Sequence, residues 1–481
     1  MQAIFGCILL NASHIWLHSF ECKSYTICIF LNAGYQSKGK KNGGRLTAMT
    51  ARQLSNGIKK TFRYAKRNGW RSAFYAAAER LGQRKNRYLY EPPSGEVLAA
   101  QRTRIWEITP KISILVPAFE TKEEFLSALI ASVRAQTYSN WELIIADASE
   151  GDIVKRTAYP YTREDARINY YHLGENKGIS GNTNAGLDFA GGAYTVLLDH
   201  DDLLTPDAVY EMVCAAQKNP DAALLYSDED KCDAAARQFH TPHYKFDFDL
   251  DLFLTNNYIC HLAMLKTGIF RELRLRPEYD GAQDYDLFLR IAAKGEKIVH
   301  VPKVLYHWRS HEQSTADNPE SKHYAYEAGL RALNDFYRTV GWAAHAKEDQ
   351  HVGFYRTVYE KTIFAVRPEV GATGGALIQR GKVAGGAMEE DGTVRYRGLN
   401  EKYSGYMNRA VLSQSVPALD LRCMSVRDEL KELYEEYTAC ISDAEESAAA
   451  QSAAFSREVR RRGYLLIYSP ADLCYTRGSV D

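Results

Sequence analysis

The sequence predicts an α/β fold, a Rossmann-like and mostly parallel sheet flanked by helices. From residue 111 onward, short apolar runs alternate with helix-length amphipathic runs, which is the rhythm of right-handed βαβ crossovers. Several apolar runs end in polar residues, as strands do where a parallel sheet binds ligands. The 481 residues carry a formal net charge of +0 and are 45% hydrophobic, which suits a globular chain of several domains and disfavours a nucleic-acid binder.

The predicted elements follow one another along the chain. Apolar runs predict buried strands over residues 112–116, 141–146, 168–172 and 194–198. Amphipathic runs predict helices over 122–136 and 182–190 between them. Farther on, residues 299–305 have the pattern of another strand. Polar side chains follow three of these strands, at 117–120, 147–149 and 199–202, so we expect them to converge on one crevice.

The run Asp199-His200-Asp201-Asp202 ends the strand at 194–198. Residues i and i+2 of an extended segment project to the same side, so Asp199 and Asp201 can share one Mg²⁺ or Mn²⁺. An acidic turn that caps the next helix is the alternative interpretation of this cluster.

Seven segments, in this order, resemble motifs of the inverting glycosyltransferases of family 2. They are SILVP at 113–117, SVRAQTY at 132–138, ELIIAD at 142–147, NKGIS at 176–180, DHDD at 199–202, GAQDYD at 281–286 and HWR at 307–309. The resemblance covers about residues 111–345 and is closest to bacterial enzymes of surface-polysaccharide assembly. It implies the GT-A fold and a catalytic domain over residues 111–360.

The resemblance also implies roles for the donor side of the site. Pro117, Ala118, Glu120 and Asp147 would line the nucleotide-base pocket, and Asn184 would bind the nucleotide sugar. Asp199 and Asp201 would hold the diphosphate through a divalent cation. The sequence departs from the family at two positions: Ala148 stands where a second aspartate is common, and Thr183 stands where an arginine is usual. Both UDP-sugars and dTDP-rhamnose therefore remain open as donors.

Asp284 matches the catalytic aspartate of the family, which the resemblance implies is the general base. An acceptor hydroxyl is a poor nucleophile, so a carboxylate must take its proton while a cation offsets charge on the leaving diphosphate. The alternative is a carboxylate at a helix N-terminus, stabilised by the helix dipole. Both roles are compatible with the same side chain.

Residues 307–309 and the acidic run at 228–230 supply further candidates. By the same resemblance, His307 would be a third metal ligand and Arg309 a phosphate contact, in a loop over the diphosphate. A structural role is the alternative for His307. Asp228 is a candidate sugar contact, because carboxylates accept hydrogen bonds from hydroxyl groups.

The chain before residue 111 divides into two regions. Residues 1–48 are predicted to be a non-native or disordered extension, with the true start at Met49; a short membrane-proximal segment is the alternative. Residues 49–110 form a basic helical region. It predicts either peripheral contact of residues 50–105 with an anionic membrane or an arm packed on the next domain. Nine cysteines without a CxxC pair favour the cytoplasm, at the inner face of the plasma membrane if the contact exists.

Residues 361–481 contain an echo of the preceding domain. The sequence around 286–302 recurs around 454–470, with the same step from glycine to proline, and residues 220–224 recur at 368–372. On this register Ser452 stands opposite Asp284. We expect a partial GT-A-like repeat, a degenerate acceptor half without catalytic equipment.

The predicted function is inverting transfer of one sugar from a nucleotide-diphosphate sugar to a glycan or lipid-linked polysaccharide precursor, with Mg²⁺ or Mn²⁺ as cofactor. Two rivals stay open at this point. The first is a non-catalytic carbohydrate-binding or scaffold protein with the same fold. The second is a metal-dependent nucleotide-sugar hydrolase, in which water replaces the acceptor.

Overall fold

The computed structural model describes residues 64–66, 69–79, 88–311, 323–351, 353–439, 445–471 and 474–475. The chain divides into two units, Met1–Ala73 and Phe74–Asp481. In the first unit, residues 64–66 and 69–73 are helical. The predictions for residues 1–48 lie outside the described residues, as do the parts of the basic region 49–110 at 49–63, 67–68 and 80–87. Within the described ranges, no helix has the length and apolar character needed to cross a membrane.

The part of the second unit up to residue 310 alternates strands and helices. Its strands are β1 (Ile112–Ala118), β2 (Trp141–Asp147), β3 (Ile168–His172), β4 (Tyr194–Leu197), β5 (Leu203–Leu204), β6 (Leu224–Asp233), β7 (Phe239–His243), β8 (Ala263–Lys266) and β9 (Ile298–Ser310). Its helices are α1 (Gly95–Arg102), α2 (Glu123–Arg134), α3 (Ile153–Glu164), α4 (Gly178–Leu187), α5 (Ala208–Lys218), α6 (Leu250–Phe253), α7 (Thr267–Leu273) and α8 (Gln283–Ala293), with a 3-10 turn at Pro277–Tyr279.

These strands form one mixed sheet in the order β3-β2-β1-β4-β8-β6-β9-β5, with β7 paired to β6. β3, β2, β1 and β4 are parallel, as the βαβ rhythm predicts. β8 is antiparallel to both β4 and β6, whereas β6 and β9 are parallel. The α/β class is confirmed, and the parallel half brings the carboxyl ends of β1, β2 and β4 to one edge.

Three elements differ from their predicted bounds. Helix α3 was not predicted; it forms although Pro160 lies inside it, and it buries Val154 and Ala158. Helix α4 begins at Gly178, before the predicted start at 182. Strand β9 continues to Ser310, since β5 and the long strand β6 both pair with its second half. Residues 307–309 therefore lie within a strand and not in a loop.

Alternating side chains of β1 and β2 fill two cores, one on each face of the sheet. On one face Leu115 and Ile144 pack with Leu187 of α4. On the other face Ile114 and Ile145 pack with the apolar stripe of α2. Burying each of these aliphatic side chains stabilises the fold by roughly 1.5–3 kcal/mol, so both cores hold the strand ends firmly.

The rest of the second unit contains shorter elements. Its helices are α9 (His323–Thr339), α10 (Ile363–Val366), α11 (Lys431–Ala439) and α12 (Glu445–Arg461). Its strands are β10 (Ala344–Glu348), β11 (Tyr355–Tyr359), β12 (Val370–Gly374), β13 (Leu377–Gln379), β14 (Lys382–Gly385), β15 (Ala387–Met388), β16 (Gln414–Ser415), β17 (Ala418–Leu419), β18 (Met424–Val426), β19 (Leu465–Tyr468) and β20 (Cys474–Tyr475). Turns of 3-10 helix lie at Tyr406–Val411, Leu421–Cys423 and Asp428–Leu430.

A second sheet, in the order β16-β19-β12-β18, organises this C-terminal part. Strand β12 lies between β18, which is antiparallel to it, and β19, which is parallel to it. Helix α12 packs on this sheet through Phe455 and Val459, within a third hydrophobic core.

A buried ion pair joins the C-terminal part to the main sheet. Arg367, just before β12, donates from both terminal nitrogens to Asp251 of α6, and Arg367 is 1% exposed. The guanidinium also lies 4.5 Å from the centroid of the Trp342 ring. Ser415 of β16 adds a hydrogen bond of 3.0 Å to the same carboxylate. The two parts therefore share a polar junction that is closed to solvent.

Candidate active site

A pocket of about 360 Å³ opens between the second half of the main sheet and the C-terminal part. Its walls come from β6, β9, the start of α8, the segment at 256–260, the α9–β11 region and Met407. Carboxylates, amides and aromatic rings line it together. Pockets that bind small molecules usually have this size and mixture.

The ends of β1 and β2 lie side by side in the parallel half of the sheet. Ala118 pairs with Asp147 across the two strands, and Pro117 pairs with Ala146. The Asp147 carboxylate is fully buried; it accepts hydrogen bonds from the Ser149 amide at 2.9 Å and from the Tyr170 hydroxyl at 2.7 Å. The structure therefore brings three of the predicted base-pocket residues together.

Glu120 follows β1 in a left-handed backbone conformation, with φ of 46°. Its amide donates to the Ser149 hydroxyl at 2.8 Å. Its carboxylate accepts from the amides of Glu150 at 3.0 Å and Gly151 at 3.2 Å. Glu120 thus holds the β1 and β2 loops against each other at the edge of the predicted base pocket.

The side chain of Asn184, in α4, forms its hydrogen bonds with Leu275 and not with these strand ends. Its amide nitrogen donates to the Leu275 carbonyl at 2.7 Å, and its amide oxygen accepts from the Leu275 amide at 2.9 Å. This two-way clamp uses the functional atoms of the side chain. A nucleotide contact by Asn184 stays a prediction, and the geometry shows instead a structural role.

Beyond β4, the acidic run divides between two surroundings. Asp199 is 45% exposed in its side chain, and its Oδ2 lies 3.5 Å from His261 Nε2. Asp201 is 2.7 Å from His311 Nε2 through its Oδ2. Asp202 is fully buried; it accepts from the Tyr306 hydroxyl at 2.5 Å and from the Arg309 amide at 2.7 Å.

Asp199, Asp202 and His261 each present one ligand atom within 4.8 Å of the others. Two carboxylates and an imidazole suit a divalent cation of the Mn²⁺ type. Burial, followed by the charges of Asp201 and Asp199, raises the pKa of Asp202 well above its usual value. A cation would relieve this concentration of negative charge. Asp201 and His307 lie outside this group, so their roles as metal ligands stay predictions.

His261 links the acidic run to the pocket. Burial works against a charged ring, but hydrogen bonds to Asp199 and Glu229 outweigh it and raise the pKa of His261 well above its usual value. The ring stacks on Tyr306, with centroids 4.6 Å apart. Burial also opposes charge on Glu229, but Lys245, His243 and His261 hold its pKa well below the usual range. A charged pair of His261 and Glu229 thus lies between Asp199 and the pocket.

Asp284 lies in the first turn of α8 and lines the pocket. Its Oδ2 accepts a hydrogen bond from the Asn257 amide at 2.7 Å. Burial raises the pKa of Asp284, while the positive charge of His261 counteracts this rise. A carboxylate with a raised pKa that faces a pocket is suited to accepting a proton from a hydroxyl group.

The residues of the HWR segment point in different directions because they alternate along β9. His307 Nδ1 lies 2.6 Å from Asp230 Oδ1, and its ring packs against Tyr90 and Phe239. Trp308, the next residue, lines the pocket. The expectation of a loop at 307–309 is therefore wrong, and the surroundings of His307 are those of a structural histidine.

Arg309 is 2% exposed and holds the acidic run by its backbone and side chain. Its Nε donates to the Asp201 carbonyl at 2.5 Å, and its Nη1 donates to the Ala234 carbonyl at 2.7 Å. Its Nη2 is buried and has no hydrogen-bond partner among the described residues. Contact with phosphate stays a prediction for this side chain.

Sequence reasoning did not assign Asn257, His261 or Glu229 to this site, and within the acidic run at 228–230 it favoured Asp228. Asp228 is in fact occupied, because it accepts from the Lys245 amide and lies 2.8 Å from His300 Nε2. The alternation of β6 turns Glu229 to the pocket instead. No strand was predicted over residues 224–233, so this alternation could not be used in prediction.

Comparison with known proteins identifies the family. Residues 113–274 match Glycosyl transferase family 2. "Uncharacterized protein y4gI" of Sinorhizobium fredii is 40% identical over 244 residues, which are 48% of this chain and 26% of that protein. "Putative colanic acid biosynthesis glycosyl transferase WcaA" of Escherichia coli is 30% identical over 203 residues, which are 41% of this chain and 72% of that protein.

Among solved structures, the mannosyltransferase PcManGT from Pyrobaculum calidifontis, in complex with GDP-Man and Mn²⁺, overlaps with a TM-score of 0.38 at 14% identity. The overlap covers 60% of this chain and 78% of that chain. It is too loose to carry the assignment, which rests on the family match and the sequence relatives. This chain spans about a quarter of the length of the Sinorhizobium relative. The chain belongs to glycosyl transferase family 2.

Proposed function

We propose that this chain transfers one sugar from a nucleoside-diphosphate sugar to a hydroxyl group of a glycan or lipid-linked polysaccharide precursor, with inversion at the anomeric carbon. The observation that carries the proposal is the position of Asp284. Its carboxylate has a raised pKa, lines a pocket of sugar-binding character, and interacts electrostatically with Asp199 and His261. The name of the Escherichia coli relative supports an acceptor in surface-polysaccharide assembly.

The reaction is a single displacement. Asp284 accepts the proton of the acceptor hydroxyl as that oxygen forms a bond to the anomeric carbon. The bond from the anomeric carbon to the diphosphate breaks on the opposite face, so the configuration inverts. Asn257 orients the base through the hydrogen bond to its Oδ2. A positive charge at this place, on protonated His261 or on the cation that His261 would hold, opposes the rise that burial causes in the pKa of Asp284 and favours the carboxylate form.

The donor lies, in this proposal, across the parallel edge of the sheet. Pro117, Ala118, Glu120 and Asp147 line the base, and the UDP and dTDP classes are the candidates. Asp199, with Asp202 and His261, holds Mg²⁺ or Mn²⁺; Asp201 is the further carboxylate that the family resemblance assigns. The cation offsets negative charge on the departing diphosphate when it is bound.

The test is turnover of a nucleotide-sugar panel, measured as nucleoside diphosphate released with and without acceptor glycosides. Asp284→Asn should lower turnover by a factor of about 10²–10⁴, which is the usual contribution of a general base. Glu278→Gln, the same chemical change on an exposed turn, is the matched control. Release that does not depend on any acceptor favours a hydrolase. Absence of release with every donor, in folded protein, favours a carbohydrate-binding scaffold.

We also propose that the enzyme works at the cytoplasmic face of a membrane, where residues 50–105 contact anionic lipid. Trp70 is 60% exposed and Phe74 is 64% exposed, and they lie four residues apart in a helical stretch of this basic region. Aromatic and basic side chains on one helix suit the interface of an anionic bilayer. Sedimentation with vesicles of phosphatidylglycerol, but not of phosphatidylcholine, is the expected result. Sedimentation with neither kind of vesicle, or equal sedimentation with both, would contradict the proposal.

For residues 361–481, we propose the degenerate acceptor half that the sequence echo predicts. On the predicted register Leu224 corresponds to Ala372, and Ile298 corresponds to Leu466. Leu224 pairs with Ile298 in the parallel β6–β9 ladder, and Ala372 pairs with Leu466 in the parallel β12–β19 ladder. β6 and β12 are each paired on their other side with an antiparallel strand, β8 and β18.

The position that corresponds to Asp284 supports loss of catalysis in this second copy. Ser452 is fully buried; its hydroxyl accepts from the Leu421 amide at 3.1 Å and donates to the Ala448 carbonyl at 2.6 Å. It therefore faces the protein interior and no pocket. An experimental structure should superpose β6, β8 and β9 on β12, β18 and β19 without a shift in register. A register shift in either ladder would contradict the proposal.

A further inference from the structure

The pocket that contains Asp284 is not made by the catalytic domain alone. Glu229, Trp308 and Asp284 form its inner side, while Tyr326 and Phe354 come from the region after the main sheet. Met407, more than a hundred residues beyond Asp284 in the chain, closes a further side. The residue belongs to the 3-10 segment Tyr406–Val411 of the C-terminal part.

Several contacts hold this segment against the catalytic domain. The Tyr406 hydroxyl donates to the Pro242 carbonyl at 2.7 Å and accepts from the Tyr244 amide at 3.0 Å. Arg409 donates to the Tyr244 carbonyl, and its guanidinium lies 3.7 Å from the centroid of the Phe246 ring. Met407 lies between these two anchors, so its position relative to the pocket is fixed from both sides.

The backbone of the segment is itself unusual. Met407 has φ of 51° and Asn408 has φ of 61°, a left-handed conformation that few residues other than glycine adopt. Just before it, the amides of Ser404 and Gly405 donate to the Glu79 carboxylate at 3.0 and 2.7 Å. A left-handed pair costs free energy, which the surrounding contacts must offset. Met407 lines the pocket from within this left-handed pair.

The chemistry of the lining matches a pyranose ring. Trp308, Tyr326 and Phe354 offer aromatic surface to the apolar face of a sugar. Glu229 and Asp284 offer carboxylate oxygens to its hydroxyl groups. Met407 adds a flexible thioether, which adapts to different substituents at a binding surface. The donor's nucleotide belongs at the other edge, near Asp147, so this pocket is left for the acceptor.

We propose that the C-terminal part supplies a wall of the acceptor subsite, and that Met407 determines which terminal sugar of the acceptor fits. The proposal rests on the proposed glycosyl transfer for the identity of its ligand. It assigns the degenerate copy a function, the selection of the acceptor, that needs no catalytic residue of its own.

The test measures binding, so that it does not depend on turnover. Saturation-transfer NMR would follow p-nitrophenyl glycosides of glucose, galactose, N-acetylglucosamine and rhamnose, in the presence of UDP and Mn²⁺, with the full chain. Met407→Ala should weaken the preferred glycoside by about three- to tenfold, because one apolar contact is lost. Met407→Trp should block the preferred glycoside or change the order of preference among the four, since it reduces the space in the pocket.

Two controls separate the possible failures. Lys402→Ala changes an exposed residue near the segment and should leave glycoside binding unchanged. Melting temperatures and UDP-induced stabilisation should be equal in all variants, which shows that the fold and the donor side are intact. Unchanged glycoside affinity in both Met407 variants, or absence of binding by all four glycosides, would overturn the inference. If Asp284→Asn loses turnover while the Met407 variants keep their glycoside affinity, the proposed function stands and only the role of the C-terminal part in the acceptor subsite is refuted.

Discussion

Replacement of Arg367 by alanine tests the junction between the catalytic domain and the C-terminal part. The variant leaves the Asp251 carboxylate, which is 5% exposed, without its cation. Ser415 alone would then remain as a side-chain donor to it. The Arg367→Ala variant also loses the contact between the guanidinium and the Trp342 ring. We expect a large loss of stability, because an unpaired charge in the interior is much more costly than the absence of a surface ion pair.

The magnitude follows from the burial of the pair. Removing one partner of a buried ion pair costs about 3–5 kcal/mol, whereas an exposed pair contributes about 0–1 kcal/mol. The second unit has about 400 residues, and the entropy of unfolding is about 2.1 cal/mol/K per residue, so each kcal/mol lowers the melting temperature by about 1.2 °C. The fall should therefore be about 4–6 °C.

Differential scanning fluorimetry would measure this. Arg338→Ala, which removes an exposed arginine that pairs with Asp335, is the matched control and should change the melting temperature by at most about 1 °C. A fall of less than about 2 °C in Arg367→Ala would refute the reasoning, because it would mean that solvent reaches the junction.

The remaining predictions concern catalysis, the cation and packing. The pH at which turnover falls on the acid side should shift upward in Asn257→Ala, because the hydrogen bond from the Asn257 amide lowers the pKa of Asp284. An unchanged profile would show that Asp284 is not the titrating base. Mn²⁺ binding, measured by calorimetry, should strengthen as the pH rises from 6 to 8, since the protonated His261 ring must lose its proton to bind a metal. Asp202→Asn should weaken Mn²⁺ binding more than Asp201→Asn does. The reverse order would favour Asp199 and Asp201 as the pair of carboxylate ligands. Chelation with EDTA should abolish metal-dependent turnover, and activity that persists would exclude the cation. Gly186→Ala should destabilise the fold by about 1–3 kcal/mol, because the added Cβ would lie 2.5 Å from Leu115 Cδ1 and 2.9 Å from Ala146 Cβ. Gly268→Ala in α7 is the control; it has open space around it and should be neutral or stabilising. Equal melting temperatures of the two variants would contradict the close packing of α4 on the sheet.

The parallel half of the fold could be predicted because its signals are local. Buried strands such as β1 and β2 read as continuous apolar runs, and the polar residues that follow them mark the ligand edge. Helix α3 could not be predicted in the same way. Pro160 is a strong local breaker, and only the tertiary burial of Val154 and Ala158 outweighs it. Packing against the sheet decided this element, and local sequence did not.

The site was predictable where chemistry depends on neighbours in sequence, and unpredictable where it depends on strand register. The run 199–202 and Asp284 can be recognised in the sequence, because they are carboxylates at the ends of predicted elements. His261 comes to Asp199 only because β8 pairs with β4, and no local pattern specifies that pairing. The length of β9 likewise depends on β5 and β6. The metal role of His307 was predicted from the family resemblance and stays a prediction; in the structure its ring packs among Tyr90 and Phe239.

The left-handed segment around Met407 has a consequence for the order in which the enzyme becomes complete. The ribosome makes Asp284 long before it makes the residues that close the pocket, and contacts such as Asp251 with Arg367 span 116 residues. Contacts that are distant in sequence form late, because loop closure must precede them. A nascent chain therefore contains Asp284 and the carboxylates that follow β4 before it contains the residues that, in our proposal, distinguish acceptors. On that proposal, acceptor selectivity is acquired late in folding.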